Sequence, residues 1–173
     1  PTQKIRWEDK TVQHQIPGLE HLKKADLLIL FSRLLTLSDD QIKHVIDYLE
    51  SGNPLIGIRT ANHGFLENFP YQVAGRKVRF GDDVLGGAFR GHHGNWHADS
   101  TRGLIVEENK DHPILIGVND VWGPSDVYRT YPEGKKLGDD CTALLEGQPL
   151  VGRKHDDEVN AKKIPLPIAW TKT

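Results

Sequence analysis

Methionine is missing from all 173 residues, position 1 included, and cysteine occurs once, at Cys141. The first absence points to a processed or excised piece of a longer product, so the lack of a charged-then-apolar signal pattern at the N-terminus says little about compartment. The second excludes an internal disulfide framework and a multi-cysteine zinc site, and leaves the compartment open. Long apolar runs are lacking too. The longest, Leu27–Phe31 and Leu55–Ile58, are far too short to span a membrane. No block of one charge appears either, with 22 basic residues against 24 acidic ones, which speaks against nucleic acid or an anionic membrane surface as partner. The chain reads as soluble, with a length that suits one domain and a real core.

What is present is concentrated in Gly86-Gly87-Ala88-Phe89-Arg90-Gly91-His92-His93-Gly94-Asn95-Trp96-His97. Glycine permits positive φ and close backbone approach, while imidazoles exchange protons near neutral pH or ligate metals. Arg90 adds a fork of donors, and Phe89 and Trp96 add flat apolar faces. Solvated surface histidines explain any one of these residues. The cluster, where permissive backbone and titratable groups coincide, fits a binding loop for a polar small molecule.

Along the chain, residues 1–15 read as a polar lead-in arm and residues 16–173 as a single α/β domain. Ile16-Pro17-Gly18 signals a turn, and Leu19–Ala25 a short helix. Leu27–Phe31 lacks polar alternation, as expected of a strand covered on both faces. Ser38 and Gln41 form a capping-box pattern, and Ile42, Val45, Ile46 and Leu49 mark one helical face that ends at Gly52 and Pro54. Leu55–Ile58 resumes as a second buried strand, which predicts a strand–helix–strand unit in a parallel sheet. In such sheets ligands bind beyond the carboxyl ends of strands, which makes His63 a pocket candidate by position. Further strands are expected at Gly103–Glu107, Thr142–Leu145 and Leu166–Thr171, and Gly147–Lys163 reads as an exposed charged loop.

Four segments, Ala25–Arg33, Pro54–Phe65, Val84–His97 and Ile168–Thr171, together resemble the trehalose-utilisation (ThuA-like) family of the class I glutamine-amidotransferase-like superfamily. The specific motifs are a strand ending in Gly-Ile-Arg-Thr with His63 four residues beyond Arg59, and Gly-Gly-x-x-x-Gly-His-His-Gly-Asn at 86–95. The resemblance implies a flavodoxin-like three-layer sandwich with a mostly parallel sheet, here without the family's first strand–helix–strand and last strand–helix. It also implies action on a disaccharide or an oxidised (keto) sugar. Homo-oligomerisation, or further domains in a longer chain, would complete such a sheet.

In amidotransferases of that superfamily a cysteine occupies the turn after the strand resembling Leu55–Ile58. Here Arg59 and Thr60 stand there, and Cys141 sits in an apolar stretch that suits an inert thiol, so cysteine-dependent amidotransfer is rejected. Acid–base chemistry would use His63, His92 and His93, with Arg90 holding developing negative charge. Arg59, Thr60, Asn95, Trp96, Trp122 and Asp126 complete the candidate substrate-binding set, Asp126 being the best placed of the carboxylates. A metal-assisted alternative places zinc or another divalent ion on His63, His92, His93 and His97. Against it, His92 and His93 would point apart on a strand, and Gly94 and Asn95 disfavour a helix aligning His93 with His97. The competing readings are a lyase- or hydrolase-type carbohydrate enzyme and a non-catalytic carbohydrate-binding or interaction domain.

Overall fold

The computed structural model describes residues 13–65 and 69–173. The expected lead-in arm therefore lies outside the described residues, except for 13–15. Within that stretch, His14 bridges in parallel to Leu37, and the Thr36 amide donates to His14 Nδ1 at 3.0 Å. Residue contacts divide the chain between Leu85 and Gly86 into two compact units. Among the described residues no helix is long and apolar enough to cross a membrane.

The first unit holds the strand–helix–strand that the sequence predicts. Strand β1 (Leu28–Leu30) and strand β2 (Leu55–Gly57) pair in parallel, with Ile29 opposite Ile56, and helix α1 (Asp39–Glu50) connects them. Ile42, Val45 and Tyr48 are the buried positions of α1, and Ile46, Leu49, Leu30 and Leu55 pack against the core that Ile42 and Val45 enter. The Tyr48 hydroxyl donates to the Pro54 carbonyl at 2.6 Å, tying the end of the helix to the start of β2. The capping box is not made, since Ser38 forms no side-chain cap bond. Gln41 instead brackets the Ile16 backbone, accepting from its amide at 3.0 Å and donating to its carbonyl at 2.9 Å. Coverage of the strands on both faces is also overturned: α1 covers one face, while Ile29 and Phe31 are 58% and 69% exposed on the other.

Residues 69–85 carry a short hairpin and a helical turn. Strands β3 (Gln72–Val73) and β4 (Arg76–Lys77) form an antiparallel hairpin across Ala74-Gly75, both at positive φ (51° and 77°), the geometry of a two-residue hairpin turn. A π-helical turn, Phe80–Val84, follows. Phe65, Phe69 and Phe80 meet with ring centroids 4.8–5.3 Å apart and complete the core under α1.

The second unit is an antiparallel sheet ordered β6-β5-β7-β8, from β5 (Ser100–Ile105), β6 (Val121–Gly123), β7 (Cys141–Leu150) and β8 (Leu166–Lys172). The mostly parallel flavodoxin-like sandwich is thus contradicted: among the described residues β1 and β2 are the only strands that pair in parallel, isolated bridges aside, and α1 is the only α-helix. The physical reason lies in the connections. A parallel neighbour needs a crossover of a dozen or more residues, usually helical. Among the described residues after β2 no α-helix connects the strands, and neighbouring strands run antiparallel. One face of the sheet packs Leu144 and Leu145 against Leu115, Val121 and Ile168. Gly147 sits where an added Cβ would lie 2.6 Å from Ile168 Cγ2 and 2.8 Å from Thr101 Cγ2.

Candidate active site

The glycine- and histidine-rich stretch opens the second unit and runs beside Val127–Thr130. The Arg90 amide donates to the Arg129 carbonyl (2.8 Å), the Arg129 amide to Gly91 (2.9 Å) and the His93 amide to Val127 (2.8 Å). Glycine is required at Gly91, whose φ is +114° and where a Cβ would meet the Arg129 guanidinium at 3.0 Å. This backbone ladder, with His92 bridged to Tyr128, sets the histidines beside the loop that carries Asp126.

His92 Nδ1 lies 2.7 Å from Asp126 Oδ2. The carboxylate is buried, with 2% of its side chain exposed, whereas the imidazole retains 30%. Because an ionised carboxylate only accepts, the short contact places the proton of neutral His92 on Nδ1 and leaves Nε2 as the basic nitrogen. Three rings surround this imidazole. Phe89 and Tyr128 meet it edge-on, each at 5.4 Å, and Trp96 stacks on it at 5.3 Å with an interplanar angle of 28°. Trp96 is itself 64% exposed. The result is a partly exposed imidazole, held from behind by a buried carboxylate and flanked by aromatic surface, an arrangement that could serve proton transfer.

The adjacent histidines do other things. His93 Nε2 lies 2.8 Å from the Ile164 carbonyl, away from the Asp126 contact. His97 has a left-handed backbone (φ 64°), and its ring lies 4.2 Å from that of Trp96. The second unit therefore does not gather these imidazoles into a metal centre. Among the described residues no three His, Cys, Asp or Glu side chains converge as a metal site requires. The chain matches no protein-family model, no curated protein and no solved structure.

The remaining candidates are placed as follows. Arg90 Nη1 donates to the carbonyls of Ala88 (3.0 Å) and Thr130 (2.7 Å), which fixes the loop. Asn95 is held by Asp99, a residue only 2% exposed, through its amide at 2.8 Å and its side-chain Nδ2 at 3.1 Å. Trp122 lies on β6 opposite Arg102, and its ring partner is His155, at 5.9 Å. Arg59, Thr60 and His63 belong to the first unit, in a 3₁₀ turn directly after β2, at the carboxyl edge of the parallel pair as their position predicts. There Arg59 has φ 49°, and His63 Nδ1 lies 2.8 Å from Oδ1 of the buried Asn62. Cys141 is free; burial, followed by the neighbouring Asp140 carboxylate, pushes its thiol pKa up, the opposite of activation.

Sequence reasoning listed Phe89 as a flat face but did not assign it or Tyr128 to the site. It also missed a second histidine–carboxylate pair, His155 Nε2 to Asp120 Oδ2 at 2.5 Å. The only signal for either was the density of aromatic and acidic residues in 120–128.

Proposed function

We propose that the His92–Asp126 pair is an acid–base centre acting on a hydroxyl-rich small molecule, a sugar or oxidised (keto) sugar, as in disaccharide utilisation. The observation that carries this reading is the buried Asp126 carboxylate on His92 Nδ1, which orients the ring and stabilises the imidazolium formed when Nε2 takes a proton. Such a pair removes a proton from a hydroxyl, or from carbon beside a ketone, and returns it later in the cycle. The exposed Trp96 beside it suits the apolar face of a sugar ring. The choice of sugar rests on the residue-level resemblance of 54–65 and 84–97 to the trehalose-utilisation family.

Turnover of trehalose and of its 3-keto derivative by the wild-type protein, His92→Ala and His93→Ala tests this. His92→Ala should lower the rate by about 10²–10⁴-fold. His93→Ala, which loses a contact to a backbone carbonyl, should act mainly on stability. Saturable sugar binding by the wild-type protein with no turnover would select the carbohydrate-binding reading, which the 64% exposure of Trp96 also fits.

A further inference from the structure

On the sheet face bearing Ser100, Arg102, Trp122 and Gln148, residues 151–165 run as a strap fastened by its carbonyl groups. Ser100 Oγ reaches the Lys154 carbonyl at 3.5 Å, Arg102 Nη2 that of His155 at 2.5 Å, and Gln148 Nε2 that of Lys163 at 3.1 Å. The strap's His155 in turn holds Asp120 at 2.5 Å and meets the Trp122 ring edge-on. Beneath it, two buried N–H groups, Arg102 Nε and Trp122 Nε1, have no hydrogen-bond partner among the described residues. They belong to residues directly opposite each other on β5 and β6, and both side chains touch His155.

Leaving one buried donor unsatisfied costs about 1–3 kcal/mol, so two on adjacent positions point to an absent partner. Both atoms can only donate, so that partner presents an acceptor oxygen. The Asp120 carboxylate on the same imidazole offsets the Arg102 charge and disfavours an anion. A hydroxyl meets these demands: its oxygen accepts from such an N–H group and its hydrogen is available to a carboxylate.

We propose that Arg102, Trp122 and the His155–Asp120 pair form a second binding site, for a sugar or polyol hydroxyl, closed by the strap. It uses none of the side chains of the His92 centre and stands independently of chemistry there. It requires the strap to lift at His155 for entry and to re-form its carbonyl contacts over the ligand.

The test is a titration with trehalose followed by the indole N–H resonances of the protein's four tryptophans, that of Trp122 being assigned by its loss in Trp122→Phe. The Trp122 signal should shift saturably in the wild-type protein and equally in His92→Ala. In Trp122→Phe and in Asp120→Asn, the saturable shift of the His155 ring signals should need about three- to tenfold more trehalose, the loss of one hydrogen bond. A Trp122 signal that stays fixed while Trp96 responds would overturn the second site and leave the His92 reading standing. Loss of the Trp122 response in His92→Ala would merge the two into one site and also overturn it. Silence of both tryptophans would reject both sugar readings.

Discussion

Asp126→Asn isolates what the buried carboxylate does for His92. The substitution keeps volume and one acceptor oxygen 2.7 Å from Nδ1 but removes the charge. Charge centres about 4 Å apart at an effective dielectric near 20 interact by about 4 kcal/mol, which is the help Asp126 gives to a transient imidazolium. His92 keeps 30% of its side chain in water and Asn still offers a hydrogen bond, so the loss should be nearer 3 kcal/mol, or about 10²-fold in rate. Single-turnover kinetics on the 3-keto sugar measures that rate, and the nitrogen chemical shifts of His92 report the tautomer independently of activity. In the wild-type protein the proton should sit on Nδ1, and in Asp126→Asn a mixture of tautomers should appear. Wild-type His92 carrying its proton on Nε2, or a variant with unchanged rate, would refute the argument.

Three further outcomes follow from the two units. Ala74 has a left-handed backbone in an exposed hairpin turn, so Ala74→Asn should raise thermal stability by about 0.5–1 kcal/mol, and a lowered melting temperature would contradict that turn. Burial raises the Asp83 pKa, but hydrogen bonds from the Arg79 amide and from the Arg79 and Arg76 guanidiniums outweigh it and hold the carboxyl below its ordinary value of 3.8. The stabilisation is therefore complete above pH 3.8 and is lost as pH falls through the lower folded value. Asp83→Asn should be less stable than wild type at neutral pH, with the gap closing in acid; a pH-independent gap would show that the carboxylate charge does not matter. Cys141→Ala should retain full activity, and thiol reagents should react slowly with the folded protein. Inactivation by such a reagent would count against an inert thiol.

How much of this was legible in the sequence depended on range. Helix α1 was readable because Ile42, Val45, Ile46 and Leu49 state their face within three turns, and the parallel β1–β2 pair follows from having that helix between two apolar runs. Strands β5, β8 and the first half of β7 were visible as apolar or alternating segments, but their antiparallel pairing was not, and Gly147–Leu150, expected in an exposed loop, instead continue β7 as buried residues. Strand direction is set by what connects the strands, and beyond β1–α1–β2 the resemblance implied further crossovers where the described strands instead pair antiparallel. Gln41 was read as a cap because its partner, Ile16, lies 25 residues away. In the site, His92 and Asp126 were each singled out, yet their pairing spans 34 residues and depends on the ladder between 90–93 and 127–129. Adjacency in sequence made His92 and His93 look equivalent, whereas backbone alternation sends one to a buried carboxylate and the other to a loop carbonyl.

The central claim, proton transfer by His92 on an oxidised sugar, is tested most directly by incubating the protein with 3-keto trehalose in deuterated water and following loss of the hydrogen beside the ketone. The account predicts exchange well above the buffer rate for the wild-type protein, a drop of about 10²-fold or more in His92→Ala, and little change in His93→Ala. Wild-type exchange at the buffer rate, or undiminished exchange in His92→Ala, would contradict it.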